Sequence, residues 1–411
     1  MDKKRIFITG MGAVTPIGIG VDAYWDGITS GRCGIVDASE IGTFSQPGLR
    51  MALIQDFNPK EHLSTRLTLD LEPYMQYAYT AAEEAVAQSG MDTESDRIGI
   101  VMGTALAGIV HIGETGVQFA MNQKAAGPKF LTKAMGNITA AQFSINHKIK
   151  GPSLTVTTAC SSGGDATTMA SLLIRSGMAD AVVVMAGEAA VCPTLVQSLL
   201  KTGALSKTGE SLPFDARRNG FVLGEGGGAL VLESEEHMKA RGGKPLAELL
   251  GCANNTDAFN PVSPDPSGAG ASAVMRLALA DAGIGADRIG YINAHGTATH
   301  LGDITETKAI HMVFDGDGSS EAGGSKVLVS STKGATGHMM GAGGITEVIA
   351  CVKAIQTGIL PENAGYAEPD PECDVNIVTK ENKNQTIEAA MSNAFGFGGQ
   401  NSCIIVGKVS E

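Results

Sequence analysis

The sequence predicts an α/β protein in which helices cover both faces of its sheets. Short apolar strands alternate with helical segments through all 411 residues, as where Ile289–Asn293 is followed by Asp303–Met312. The segment Ala181–Met185 is almost purely apolar, which is typical of a strand that is buried on both faces. Glycine is frequent, with 54 residues, and this indicates tight turns between closely packed elements.

In the first half of the chain, strand and helix patterns alternate. Pro73–Gln88 has helical spacing and stops before Gly90, a natural helix C-cap. Arg5–Thr9 is predicted to be a strand that ends in a turn at Gly10-Met11-Gly12. The other predicted elements are strands at Arg97–Met102 and Pro152–Thr158 and a helix at Ser161–Ser176.

The second half repeats this order. Gly224-Glu225-Gly226-Gly227 precedes the apolar strand Ala229–Leu232, and Gly396-Phe397-Gly398-Gly399 precedes a similar strand at Cys403–Val406. This short echo indicates a duplicated fold. The other predicted elements are helices at Ser272–Ala282 and Ile345–Ile355 and a strand at Lys326–Ser330.

Composition excludes several classes of function. The formal net charge is −13 and no Lys/Arg cluster supplies a basic footprint, so we expect no nucleic-acid binding. The seven cysteines are spaced singly, which argues against a disulfide framework or a zinc cluster and fits a reducing cytoplasm. No apolar run approaches the roughly 18–20 residues of a membrane span, so we expect no membrane insertion.

Cys160 is the candidate nucleophile. It lies in Thr157–Gly164, between a buried strand and a helix, where free backbone N–H groups and the positive end of the helix dipole favour a thiolate. Its small neighbours leave room for a substrate, as in a nucleophile elbow. The alternative is a buried structural cysteine, which is the usual role of a free cysteine.

Two histidines follow strands in a comparable way. His295 comes after Ile289–Asn293, and His338 stands in a glycine-rich loop after Lys326–Ser330. Because ligands gather at the carboxyl ends of strands in α/β sheets, we expect one cleft to hold both rings and Cys160. The alternatives are core histidines satisfied by hydrogen bonds or a zinc site, although no ligand cluster supports the metal.

These motifs together resemble the β-ketoacyl-carrier-protein synthases of the thiolase superfamily. The resemblance covers nearly the whole chain, from Ile8–Pro16 to Ser392–Gly399, and is strongest to the elongating type II synthases. The α ketosynthase subunits of aromatic polyketide systems are near relatives. It implies a duplicated five-layer αβαβα thiolase fold, with the nucleophile in residues 1–250 and both histidines in residues 251–411.

The resemblance implies a condensing acyltransferase. Cys160 would hold the acyl chain, while His295 and His338 would bind the malonyl thioester carbonyl and stabilise the enolate formed as CO₂ leaves. The N–H groups of Cys160 and Phe397 would form the oxyanion hole. No cofactor is implied, because the substrates travel on the phosphopantetheine arm of an acyl carrier protein.

Further residues match family positions with more peripheral roles. Lys333 and Glu347 would organise the site, and Phe397 would be a gate between the acyl pocket and the malonyl site. Substrate contacts are implied for Thr297 and Thr299 at the phosphopantetheine arm, for Leu106 at the far end of the acyl pocket, and for Phe395.

The motifs also separate this chain from other members of the superfamily. Initiating synthases have Asn in place of His338, thiolases use a second cysteine as base, and chain-length partner subunits lack the nucleophile. A catalytically silent scaffold subunit would therefore need an idle Cys160.

Some positions depart from the family pattern. Asn219 replaces the usual Asp, His300 the usual Pro and Gln400 the usual Thr, while Thr65–Asp70 has only Arg66 as a basic residue to receive an acidic carrier. Asp165, five residues after the nucleophile, makes the chain similar to the polyketide α subunits at this position.

The sequence leaves two questions open. The pathway is either fatty-acid elongation or a type II polyketide pathway, and the assembly is either a homodimer or a heterodimer with a chain-length-factor-like subunit. Lys124, Lys129, Lys133, Lys207 and Arg217 are alternative carrier contacts.

Overall fold

A computed structural model describes residues 3–41, 44–315 and 327–410. The described strands include ten that form the body of one sheet. In chain order they are β1 (Ile6–Thr15), β2 (Ile98–Gly103), β3 (Ser153–Val156), β4 (Ala181–Glu188), β5 (Gly226–Ser234), β6 (Ala247–Thr256), β7 (Ile289–Asn293), β8 (Leu328–Ser330), β9 (Ala389–Gly396) and β10 (Gln400–Gly407). The predicted strand Lys326–Ser330 appears as β8, and Lys326 lies outside the described residues.

The sheet consists of two halves with the same strand order. The first half runs β3-β2-β4-β5-β1 and the second runs β8-β7-β9-β10-β6, and β1 and β6 join them. In each half the first three strands are parallel and the last two are added antiparallel. The duplication predicted from the glycine echo is therefore confirmed, since the two echo segments lead into the equivalent strands β5 and β10. The expected division at residue 250 falls inside β6, so in the sheet the second half begins a few residues earlier.

Helices lie between and outside the two half-sheets. The longer ones are α1 (Val21–Thr29), α2 (Pro73–Ser89), α3 (Ile109–Asn122), α4 (Ile138–His147), α5 (Ser162–Arg175), α6 (Pro193–Thr202), α7 (Ala269–Ala282), α8 (His300–Phe314) and α9 (Gly343–Thr357). Shorter helices span Pro59–His62, Thr65–Asp70, Phe130–Ala134, Glu235–Ala240 and Lys333–Thr336. Short strands span Gly18–Ile19, Ile35–Asp37, Glu40–Ile41, Phe44–Ser45, Arg50–Ala52 and Asn376–Ile377.

Three apolar cores separate the layers. Helices α5 and α9 pack between the half-sheets in the central core, α2 and α4 cover the outer face of the first half, and α7 and α8 cover that of the second. This is the five-layer αβαβα arrangement that the resemblance implied. The central helices approach closely because a Cβ on Gly344 would lie 2.7 Å from the backbone nitrogen of Gly164.

The turn predicted at Gly10-Met11-Gly12 is wrong. Strand β1 continues to Thr15, with a register shift between Ile8 and Gly10 against β5. The two glycines serve packing instead, because a Cβ on Gly10 or Gly12 would lie within 2 Å of a carbonyl oxygen of α2. Helix α2 itself ends as predicted, at Gly90, which adopts a left-handed conformation with φ 62°.

Among the described residues, no helix combines the length and apolar character that crossing a membrane would require.

Candidate active site

Cys160 lies where the first half-sheet meets the central helices. After β3 the chain makes a single 3₁₀ turn, Ala159–Ser161, and then enters α5. Ala159 has φ 52°, a left-handed conformation that a residue with a Cβ adopts at some cost. This sharp turn is the elbow that the sequence predicted, and it leaves Cys160 only 5% exposed.

His338 is held against the nucleophile by its own backbone. Its N–H donates to the carbonyl of Val222 at 2.7 Å, and the N–H of Gly224 donates back to its carbonyl at 2.9 Å. Gly337, with φ 62°, gives the turn that brings the histidine out of the preceding helix. The ring Nε2 then lies 3.0 Å from the Sγ of Cys160, which is hydrogen-bond distance.

His295 is fixed by a buried carboxylate that the sequence analysis missed. Both oxygens of Glu306 accept backbone bonds, from the N–H of His295 at 2.9 Å and from the N–H of Gly296 at 2.7 Å. Asn393, within β9, donates to the same carboxylate at 3.2 Å. The ring centroid of His295 lies 5.3 Å from that of His338, at nearly a right angle. The expected meeting of one sulfur and two imidazoles is therefore present.

Both imidazoles are neutral at neutral pH. Burial lowers the pKa of His295 well below its ordinary value, and the positive charge of Lys333 and the neighbouring His338 act in the same direction. Burial and Lys333 likewise lower the pKa of His338. The Nδ1 atom of each ring is buried without a hydrogen-bond partner among the described residues. A neutral ring has one N–H donor and one acceptor nitrogen, so each can bind a carbonyl oxygen or take a proton.

The expectation of a preformed thiolate at Cys160 is wrong. Burial raises the pKa of Cys160 to about 12, although the backbone N–H of Phe397 and the charge of Lys333 oppose that shift. Burial raises the pKa of Cys160 by more than the helix N-terminus lowers it, because a buried thiolate loses its hydration. The resting group is therefore a thiol next to the neutral His338, and the proton has to move as the sulfur reacts.

Lys333 and Glu347 form an ion pair beneath the site. Their side chains are 2% and 3% exposed, and the ammonium of Lys333 contacts Oε1 of Glu347. Lys333 compensates in part for the burial of Glu347, which raises the pKa of that carboxyl. Neither residue lines the open cavity, and the charge of Lys333 acts to lower the pKa of His295, of His338 and of Cys160.

Phe397 lies in the loop that follows β9. Gly396 permits this approach, because a Cβ there would lie 2.8 Å from the carbonyl oxygen of Thr158 and 3.1 Å from the nitrogen of Cys160. The backbone N–H of Phe397 favours the thiolate form of Cys160 and so opposes the rise of its pKa. Two backbone donors on neighbouring segments, from Cys160 and Phe397, suit a developing oxyanion.

A cavity of about 320 Å³ opens onto these groups. Most of the predicted site residues line it, namely Cys160, His295, His338, Thr297, Thr299, Phe395 and Phe397. The hydroxyl oxygens of Thr297 and Thr299 lie 3.1 Å apart on its wall. His300 and Asn219, two departures from the family pattern, also line it, as does Met340, which the sequence analysis had not singled out.

Leu106 lies in a second, mainly apolar region beside the nucleophile. It packs into a cluster that contains Cys160, Met340 and Phe221, together with side chains of α6 such as Val196. Leu106 does not line the open cavity. Its expected position at the far end of an acyl pocket stays a prediction.

The basic residues expected to receive a carrier differ in their partners. Lys129 and Lys133 form ion pairs with Asp70 and Glu72, and Arg217 pairs with Asp215 at 2.8 Å. These contacts neutralise much of their charge. Lys207 lies in the loop whose backbone is held by the Asn219 side chain at the cavity wall.

Comparison with known proteins agrees with this architecture. The profile "Beta-ketoacyl synthase, N-terminal domain" matches residues 3–238, and "Beta-ketoacyl synthase, C-terminal domain" matches residues 246–367. The 3-oxoacyl-[acyl-carrier-protein] synthase 2 of Vibrio cholerae is 35% identical over 416 residues, covering 98% of this chain and 99% of the relative. The protein of that name from Staphylococcus aureus is 34% identical over 414 residues, covering 99% of each chain.

Solved structures give the same match. The ishigamide ketosynthase/chain length factor superposes with a TM-score of 0.88 at 30% identity and covers 99% of this chain and 100% of that one. A type II polyketide ketosynthase, solved in complex with its acyl-carrier protein and bound to the hexaketide, also has a TM-score of 0.88, at 28% identity, covering 100% of both chains. The fold, the two matching profiles and the near full-length relatives lead to one assignment: the chain belongs to the β-ketoacyl synthase family of condensing acyltransferases.

Proposed function

We propose that this enzyme extends an acyl chain by decarboxylative condensation with malonyl-acyl carrier protein, as in fatty-acid elongation. The observation that carries the proposal is the 3.0 Å contact between the Cys160 sulfur and Nε2 of His338, with His295 facing the same cavity. A nucleophile and two neutral imidazoles around one space suit both halves of such a reaction.

The first half-reaction transfers the acyl group. As the Cys160 sulfur attacks the carbonyl carbon of the acyl thioester, its proton passes to Nε2 of His338. The negative oxygen of the tetrahedral intermediate is bound by the N–H groups of Cys160 and Phe397. The bond from carbon to the carrier sulfur then breaks, and the departing thiolate takes the proton from His338. The chain remains on Cys160 as a thioester.

The second half-reaction forms the carbon–carbon bond. The malonyl thioester places its carbonyl oxygen against N–H donors of His295 and His338, which stabilise negative charge on that oxygen. The bond between the malonyl carboxylate and its α-carbon breaks, CO₂ leaves, and the electron pair forms the enolate. The α-carbon attacks the acyl carbonyl on Cys160, and the sulfur leaves as a thiolate that takes a proton from solvent. The product is a β-ketoacyl thioester on the carrier.

A carrier arm fits the cavity. The wall that bears Thr297 and Thr299 leads from the histidines toward Asn219 and His300, and it offers hydroxyl and amide groups to a pantetheine amide. Lys207, beside that wall, is the better contact for an acidic carrier, because Lys129 and Lys133 are already paired. The seven cysteines are free thiols, which fits action in the cytoplasm.

We also propose that two copies pair through the edge of the first half-sheet. No other described strand pairs with the outer edge of β3, and Leu154 on it is 41% exposed. Helix α3 has no buried residue and exposes Val117, Phe119 and Met121. An open strand with an apolar helix suits a symmetric partner, because a two-fold axis pairs β3 antiparallel with itself.

Condensation is tested directly with the full chain. The purified protein is incubated with acyl-acyl carrier protein and malonyl-acyl carrier protein, and the products are identified by mass spectrometry. We expect a β-ketoacyl carrier product and acyl label on Cys160, both lost in Cys160→Ala. The absence of product and of label in the parent protein would overturn the proposal.

A type II polyketide ketosynthase is the second candidate. Asp165 favours it, as do the type II polyketide ketosynthase and the ketosynthase/chain length factor that superpose at a TM-score of 0.88. In that case the β3 edge would receive a chain-length-factor-like subunit in place of a second copy. Addition of several malonyl units without reduction, only when such a subunit is present, would favour this candidate. Full rescue of a fatty-acid elongation mutant by this chain alone would exclude it.

A further inference from the structure

Asp165 holds both ends of the turn that carries the nucleophile. The hydroxyl of Thr158 donates to Oδ2 of Asp165 at 2.6 Å, and the hydroxyl of Ser161 donates to the same oxygen at 2.9 Å. Thr158 lies two residues before Cys160, and Ser161 lies directly after it. One carboxylate oxygen therefore binds both ends of the bend, and Asp165, which is 5% exposed, does not line the cavity.

This turn contains a strained residue, so side-chain bonds that fix its conformation are needed. Ala159, within it, adopts φ 52°, a left-handed conformation that is unfavourable for a residue with a Cβ. Strained backbone persists only where its surroundings fix it, and the hydroxyl-to-carboxylate bonds are of the strong, charge-assisted kind. Ser162 adds a local bond, since its hydroxyl accepts from the N–H of Thr158 at 2.9 Å.

The same carboxylate faces the second half of the molecule. The side chains of Asn254 on β6 and Ser402 on β10 both favour its ionised form, against the burial that raises the pKa of Asp165. Ser402 reaches this depth because Gly164 has no side chain, and a Cβ there would lie 2.5 Å from the Ser402 hydroxyl oxygen. The other carboxylate oxygen of Asp165, Oδ1, and the Ser402 hydroxyl are both buried without a hydrogen-bond partner among the described residues, so the two halves pack together here without a bond between these groups.

We propose that Asp165 is a positioning residue that aims the Cys160 sulfur and its backbone N–H at the reacting carbonyl. The inference deepens the proposed function and rests on it for the acyl substrate. The carboxylate acts through the Thr158 and Ser161 hydroxyls and touches no reacting atom. A displacement of about 1 Å at a reacting group lowers rates by roughly a hundredfold, so a loosened turn is costly.

The test separates acylation of Cys160 from decarboxylation of malonyl-acyl carrier protein, in which the sulfur takes no part. In Asp165→Ala we expect the rate constant for acylation by an acyl thioester to fall about 10- to 100-fold, with decarboxylation within about threefold of the parent. Asp165→Asn keeps a carbonyl oxygen for both hydroxyls and lacks the charge. We expect it to restore acylation to within about fivefold of the parent, because the role is geometric.

A matched control removes a buried carboxylate elsewhere. Glu84 accepts two backbone bonds, from Ala13 at 3.0 Å and from Val21 at 2.8 Å, far along the chain from the nucleophile. Glu84→Ala should reduce stability while leaving Cys160 acylation unchanged. Equal loss of both half-reactions in Asp165→Ala, or an acylation rate equal to that of Glu84→Ala, would refute the positioning role.

Two further variants decide the question if Asp165→Ala does not fold. Thr158→Val and Ser161→Ala each remove one of the two bonds, and each should slow acylation while sparing decarboxylation. Alkylation of Cys160 by iodoacetamide, followed by peptide mass spectrometry, gives a readout that needs no carrier substrate. If the parent protein alkylates readily but condenses nothing, the proposed function fails, and the variants still report on the position of the sulfur. Unchanged alkylation in both variants would overturn the inference.

Discussion

His295 and His338 act as neutral rings because the fold removes them from water. Burial disfavours the imidazolium, and Lys333 beneath the site adds repulsion of a second positive charge. The arrangement suits an enzyme that needs hydrogen-bond donors for an enolate and an acceptor for a thiol proton. Burial also leaves the Cys160 thiol protonated at rest, because its effect on the pKa is larger than the opposing effects of the Phe397 backbone and the Lys333 charge.

These neutral histidines predict an acid-sensitive fold. In the unfolded chain a histidine takes up a proton near pH 6.5, while in the folded chain its pKa lies well below that value. Below pH 6.5 the unfolded state therefore binds more protons, and stability is lost as pH falls, by up to about 1.4 kcal/mol per pH unit for each ring. Urea unfolding at pH 7.5 and pH 5.5 should show a smaller loss for His295→Asn than for the parent protein. An equal loss in both proteins would contradict the prediction.

Lys333 predicts a second effect. Its replacement by Met leaves the Glu347 carboxylate buried without its partner, which typically costs about 3–5 kcal/mol of unfolding free energy. The double variant Lys333→Met with Glu347→Leu removes both charges and should recover most of that loss. Denaturant titrations of the single and double variants measure the coupling directly. If the losses of the two single variants simply add in the double variant, the two charges are not coupled.

At the scale of elements, strand ends and the turns after them position the site. β3 delivers Cys160, β7 delivers His295, and the segment after β8 delivers His338. β9 ends at Gly396, and the loop after it places the backbone of Phe397 beside the site. Because these strands are parallel neighbours within their halves, their carboxyl ends face the same region, as expected of an α/β sheet.

Gly396 is the point of closest approach between these elements. Gly396→Ala would place a Cβ 2.8 Å from the Thr158 carbonyl oxygen and 3.1 Å from the Cys160 nitrogen, so the strand end and the nucleophile turn have to separate. We expect condensation to fall about 10- to 100-fold, since the oxyanion donors move apart. Gly127→Ala is a matched control, because a Cβ at Gly127 meets no atom within 4 Å. Equal steady-state rates for the two variants would contradict the expectation.

At the scale of the whole molecule, the two half-sheets have the same strand order but supply different residues to the site. The first supplies the nucleophile and the second supplies both histidines, and the central helices α5 and α9 hold the two together. The end of β9 and the Phe397 loop bring the second half against the nucleophile turn. This division explains why residues more than a hundred positions apart contact the same sulfur.

The open β3 edge gives a prediction about assembly. A charge at Leu154, 41% exposed on that strand, or at Phe119, 56% exposed on α3, would be buried without a partner in a symmetric dimer. We expect Leu154→Arg with Phe119→Glu to shift the protein from dimer to monomer in size-exclusion chromatography with light scattering. Leu277→Lys, at a half-exposed position on α7, is the control and should stay dimeric. A parent protein that is monomeric throughout would exclude the proposed pairing.

Much of this molecule could be predicted from local sequence. The alternation of strand and helix, the turn at Cys160 and the positions of His295 and His338 after strands all follow from periodicity and turn residues, which depend on near neighbours in the chain. The boundaries of most helices and strands agree to within a few residues. At Gly10-Met11-Gly12 the same logic failed, because the glycines make room for Ala81 and Ala85 of α2, which lie far from them in the sequence.

The tertiary structure alone decided the rest. Glu306 is an ordinary acidic residue in the sequence, and only the structure shows that it binds the backbone of His295. Asp165 was noted for its position after the nucleophile, but its bond to Thr158 is visible only in the structure. The protonation of Cys160 likewise depends on its burial in the folded protein. Burial raises the pKa of the thiol by more than the nearby helix N-terminus, which the sequence predicts, lowers it. Periodicity and turn chemistry act over a few residues, whereas solvent exclusion and long-range contacts exist only once the two half-sheets have closed around the cavity.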